Sequence, residues 1–96
     1  MAEIRQVLQT PTFKKAVKKL KANQKADLDQ AVRALMADPL LGEPKKGDLA
    51  LLRVYKFKML KQLTLLGYHY DDGSLVLELI ALGTHENFYR DVKRLT

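Results

Sequence analysis

The side chains with the most chemistry to offer lie in GTHENFYRDVKRL, residues 83–95. Imidazole is the one side chain whose ordinary pKa lies near neutrality, so His85 suits general acid–base work. It follows LVLELIAL, residues 75–82, an apolar run that reads as a buried strand ending at Gly83. A side chain just past a strand end is exposed yet held. Tyr89 lies four residues on, and a helix over residues 85–94 puts both side chains on one face. A tyrosine there could stack on a base or take part in proton transfer. It could equally pack on a sheet, as Phe88 and Val92 could. On position alone, a capping or solvated residue at a helix start accounts for His85 better than catalysis does.

Cations form the second element. Arg53, Lys56, Lys58 and Lys61 fall in residues 49–70, a stretch without Asp or Glu. RNA cleavage by attack of a 2′-hydroxyl needs a base, an acid and cations that stabilise charge growing on the phosphate. Lysines and an arginine on a rigid strand beside His85 would meet that need without a metal. The same strand could instead bind an acidic protein. Lys14, Lys15, Lys18, Lys19, Lys21 and Lys25 make a further acid-free zone, and the net charge is +6. Such a balance suggests a polyanionic partner, nucleic acid or acidic protein; a solvated lysine-rich surface is the plain alternative. His69, between Tyr68 and Tyr70, reads as a half-buried strand residue.

Other chemistries are excluded by composition. There is no cysteine, hence no disulfide, thiolate site or cysteine nucleophile. With two histidines a protein-only metal site is not expected, and no cofactor is. No glycine-rich phosphate loop, HExxH or nucleophile elbow occurs. The start, MAEIRQVLQT, lacks the apolar core of a signal peptide, and no run approaches the ~20 apolar residues of a membrane span. The expected location is the cytoplasm.

These groups need a scaffold. Ninety-six residues, 47% of them hydrophobic, suit one domain over residues 1–96. Residues 3–9 suggest a short first strand. Thr10 can cap a helix that starts with Pro11, and Phe13, Ala16, Val17 and Leu20 recur at helical spacing. Asn23 is expected to break this helix and cap the next, whose stripe is Leu28, Ala31, Val32, Leu35 and Met36. Asp38 before Pro39 ends it, giving an αα-hairpin. Residues 39–48, PLLGEPKKGD, read as a loop. Three strand-like runs follow at 50–58, 62–70 and 74–82, with Asp71, Asp72 and Gly73 as a hairpin turn. The expected order is βααβββ with an antiparallel sheet and a closing helix, an α+β fold. A one-residue slip exchanges the faces of a strand, so the pattern leaves open whether Arg53 or Lys56 and Lys58 face away from the helices.

Taken together, KKGDLALLRVYKFK, LTLLGYHYDDGSLVLELIALG and GTHENFYRDVKR give a chain that resembles the RelE/ParE superfamily of bacterial type II toxins, in its RelE and YafQ-like branch, over nearly its full length. The resemblance implies a microbial RNase fold with a curved sheet and an α-hairpin on one side. It implies a ribosome-dependent mRNA endoribonuclease that uses no metal or cofactor. An acidic antitoxin would neutralise it, and operator DNA would be met only through that complex. His85 falls where YafQ-like toxins carry a catalytic histidine, and Tyr89 at the aromatic position after it. Lys56 and Lys58 resemble the lysines of RelE's second strand. Arg53, Lys61 and Arg90 are the expected RNA or phosphate contacts. One departure stands out: RelE has an arginine three residues before the strand tyrosine that matches Tyr68, and here that residue is Leu65. The alternatives are a ParE-like inhibitor of DNA gyrase, sharing the fold but needing no acid–base residue, and a toxin-fold protein with degenerate catalysis.

Overall fold

The computed structural model describes residues 4–45 and 52–95, with the backbone alone for 94 and 95. Residues 46–48 of the expected loop and 50–51 of the expected strand lie outside the described residues. The elements are β1 (Gln6–Gln9), α1 (Pro11–Lys18), α2 (Ala22–Ala37), β2 (Glu43–Pro44), β3 (Arg53–Met59), β4 (Gln62–Asp71), β5 (Val76–Gly83) and α3 (His85–Leu95).

Thr10 does what its position suggests. Its hydroxyl oxygen accepts from Phe13 N at 3.1 Å and also donates to Ile80 O. The cap of α1 is thereby tied to β5. The break between the helices comes earlier than expected, at Lys19 and Lys21 rather than Asn23. Gln24 is the reason: its side-chain oxygen accepts from Lys21 N at 2.8 Å, satisfying a backbone donor at the start of α2.

The sheet has five strands in the order β1-β5-β4-β3-β2. It is mixed rather than antiparallel, because β1 runs parallel to β5. The α-hairpin lies between β1 and the meander, and this long crossover lets the first strand join β5 pointing the same way. One strand was not expected: β2 is two residues of the expected loop paired with Arg53 and Val54. Leu60 and Lys61 close the β3–β4 hairpin with positive φ, 49° and 73°, the two-residue turn that matches strand twist. Leu60 N also donates to Asp27 Oδ2 at 2.9 Å, fixing the turn to α2.

Each sheet face has its own core. On one, Phe13, Leu28 and Leu35 of the helices cover Met59, Leu66, Tyr68, Leu77 and Leu79. On the other, Phe88 and Val92 of α3 cover Leu52, Val54, Leu65 and Ala81. A bulge after Gly67 changes register, so that Gly67 faces Ala81 while Tyr68 faces Leu79. The extra residue, Ile80, lets β5 supply Leu79 and Leu82 to one core and Ala81 to the other, and bends the sheet.

Candidate active site

Tyr55 and Phe57 pack toward the α1–α2 core, and Val54 toward α3. Strand alternation then puts Lys56 and Lys58 on the α3 face, where both are exposed. Lys56, Leu65 and Gly83 form one cross-strand row. Two strand spacings put Lys56 and Gly83 about 10 Å apart. Lys58 pairs with Leu63 one row further on, toward the end of the sheet where β5 gives way to α3. Lys61 is exposed at the hairpin tip beyond that row.

His85 is exposed at the first position of α3. Its ring meets that of Tyr89 edge-on, with centroids 4.9 Å apart and planes at 61°. Tyr89 in turn meets Phe88 at 5.1 Å and 90°. Phe88 is fully buried over Gly67. A Cβ at Gly67 would lie 2.6 Å from Phe88 Cζ, so the ring rests on bare strand backbone. This seat sets the height of α3 above the sheet and, through Tyr89, the place of the imidazole. The helix is anchored by Phe88 and Val92, while His85 and Tyr89 form an aromatic pair on the face that carries Lys56 and Lys58.

Two expected contacts lie elsewhere. Arg53 points to the α1–α2 side, where its Nη1 donates to Gly42 O at 2.7 Å and Leu40 O at 3.3 Å. Strand alternation separates it from Lys56 and Lys58. Arg90 is five residues beyond His85, about 140° round the helix. It donates to Asn87 Oδ1 at 3.2 Å and lines a cleft of about 580 Å³ toward α1, with Lys15, Lys19, Met59 and Leu82. Leu65 is 1% exposed beneath α3, an apolar centre to the Lys56 row.

A residue the sequence reading passed over is Lys45. It lies in the expected loop, and its ammonium sits 5.8 Å from the centre of the Tyr89 ring, within cation–π range. Nothing in EPKKGD signals this, because the contact depends on β2 pairing with β3. Among the described residues no three His, Cys, Asp or Glu gather as metal ligands. No described helix is long and apolar enough to cross a membrane.

The same arrangement of sheet and helices occurs in solved toxin structures. The toxin–antitoxin complex RelBE2 of Mycobacterium tuberculosis superposes with a TM-score of 0.70 at 22% identity, over 83% of this chain and 96% of that one. A double mutant of the Escherichia coli toxin RelE in the free state gives 0.71 at 19% over the whole of both chains. The archaeal RelE–RelB complex of Pyrococcus horikoshii gives 0.60 at 15%, over 88% and 96%. No curated protein sequence matches. The family model of the ParE-like toxin of type II bacterial toxin–antitoxin systems matches residues 7–93, and the chain belongs to that family.

Proposed function

We propose that this toxin is a metal-independent endoribonuclease that cuts mRNA on the ribosome. The observation that carries the reading is the exposed His85, held edge-on by Tyr89 on the sheet face that bears Lys56 and Lys58. In the reaction a base takes the proton of a 2′-hydroxyl, whose oxygen attacks the adjacent phosphorus. The 5′-oxygen leaves with a proton from an acid, and a cyclic phosphate remains. His85 is the group suited to one of these transfers. Lys56 and Lys58 neutralise the phosphate as charge develops, Lys61 holds the strand beyond it, and Tyr89 stacks on a neighbouring base. Arg53 and Arg90, on other surfaces, have no part in this step.

The reading also takes an acidic antitoxin as partner, with operator DNA reached through that complex, and the cytoplasm as the place of action. The cleft between α1 and α3 is lined by Lys15, Lys19 and Arg90 against one acid, Asp91, a net positive lining that suits an acidic chain. The solved complexes from M. tuberculosis and P. horikoshii pair such toxin folds with antitoxins.

The test is addition of the protein to a translating extract, with mRNA ends mapped by primer extension. Codon-phased cuts that disappear in His85→Ala are expected; intact mRNA under normal translation refutes the proposal. One observation favours a second reading, inhibition of DNA gyrase: the row between Lys56 and Gly83 is filled by buried Leu65, where RelE has an arginine. Strong inhibition in a supercoiling assay, with no mRNA cuts, would establish that reading instead.

A further inference from the structure

The segment between α2 and β3 passes from one sheet face to the other, and it is clamped along the way. Tyr68, fully buried, donates through its hydroxyl to Pro39 O at 2.6 Å and accepts from Gly42 N at 2.9 Å. Arg53 adds its two bonds to Leu40 O and Gly42 O. Glu43 and Pro44 then pair with the edge of β3, and Lys45 N donates to Leu52 O at 2.9 Å. Lys45 emerges on the α3 face, half-buried, with its ammonium against Tyr89. The clamp holds the backbone that carries a lysine, and the lysine sits at the end of the His85–Tyr89 pair.

A structural reason for the lysine is weak. Any long apolar side chain would cover Tyr89 equally well, and a cation–π contact at this exposure contributes little beyond packing. What only a cation adds is charge-assisted hydrogen bonding to a phosphate. The ammonium is already held over the Tyr89 ring, so binding a phosphate there would order few additional torsions.

We propose that Lys45 forms a phosphate subsite for single-stranded RNA, holding the backbone of the nucleotide whose base meets Tyr89. It is a second cationic position, separate from Lys56 and Lys58 and supplied by a different segment of the chain. The inference rests on the endoribonuclease reading. Loss of one charge-assisted contact lowers kcat/KM by about tenfold or more.

The experiment compares wild type, Lys45→Met, Lys45→Arg and His85→Ala in cleavage of mRNA on purified programmed ribosomes, with thermal unfolding of each. Methionine keeps the packing on Tyr89 without the charge, and arginine keeps the charge. The expected result is wild-type unfolding for both Lys45 variants, a drop of tenfold or more in kcat/KM for Lys45→Met, and rates within threefold of wild type for Lys45→Arg. Full activity of Lys45→Met beside an inactive His85→Ala overturns the subsite and leaves the nuclease reading standing. Equal loss in both Lys45 variants also overturns it, since shape rather than charge would then matter. If wild type leaves the mRNA uncut, both proposals fall.

Discussion

Gly67→Ala tests how closely the position of His85 depends on the sheet beneath it. The new methyl would lie 2.6 Å from Phe88 Cζ and 2.8 Å from Cε1, where ordinary contact begins at 3.4 Å. The ring must therefore retreat by roughly 0.8 Å, a displacement of the size that overpacked cores produce at a cost of about 1–3 kcal/mol. Phe88 cannot turn aside, because Leu52, Leu65 and Val92 pack in the same cluster. The helix lifts instead and takes His85 with it. On the nuclease proposal, misplacing His85 by about 1 Å can cost a hundredfold in rate, so cleavage should fall between tenfold and a hundredfold. Chemical denaturation gives the stability and primer extension on programmed ribosomes the activity. Phe88→Leu in the same chain removes the outer ring carbons and should restore part of both. Neighbours in contact couple by about 0.5–3 kcal/mol, so the double variant should be more stable than the sum of the singles. A Gly67→Ala protein with wild-type stability and activity, or strict additivity with Phe88→Leu, would refute the reasoning.

Tyr68→Phe strands Pro39 O and Gly42 N in the core and should cost about 2–4 kcal/mol, at about 1–3 kcal/mol for each unpaired buried group with partial relaxation; urea unfolding checks it. Burial raises the Tyr68 phenol above its ordinary 10.0, so its stabilisation is complete below pH 10 and lost as pH rises through the higher folded value. Alkaline unfolding should accordingly be less steep in the variant. At the acid end, hydrogen bonds from the Ser74 side chain and the Ser74 and Gly73 backbone hold the Asp71 carboxyl below its ordinary 3.8. Its contribution is present above that value and lost as pH falls through the lower folded one, so Asp71→Ala should flatten stability below pH 4 in acid titrations followed by circular dichroism. Thr10→Ala removes both the cap of α1 and the bond to β5 and should destabilise by about 1–2 kcal/mol, measured by thermal unfolding; a change under 0.5 kcal/mol would contradict the capping role.

What the sequence could reveal depended on the range of the interaction. His85 and Tyr89 were legible as a pair because a helix turn brings residues four apart together, and their rings do meet edge-on. The same geometry places Arg90 on another side of that helix, and five-residue spacing carries that signal. Strand alternation says that Arg53 and Lys56 oppose each other, but not which of them lies under the helices. That is settled by the register of β3 on β4 and by the carbonyls of residues 40 and 42 that accept from Arg53. The parallel pairing of β1 and the contact of Lys45 with Tyr89 are non-local. No spacing encodes them, because each depends on where a distant strand edge ends up.

The parallel seam between β1 and β5 also bears on when the molecule can assemble. The bond from Thr10 to Ile80 spans 70 residues, whereas β3, β4 and β5 are joined by short turns. Closing the long loop carries the larger entropic cost and brings little until β5 is in place. On a nascent chain β1 and both N-terminal helices emerge first, yet their sheet partner is made last, just ahead of the helix that carries His85. The meander should therefore nucleate and the N-terminal segment dock afterwards. Mutational folding kinetics can read this directly: substitutions at Leu66 and Leu77 should slow folding, while those at Val7 should mainly speed unfolding. A toxin assembled in that order acquires its scaffold and the helix that carries His85 almost together, leaving little time in synthesis when one exists without the other.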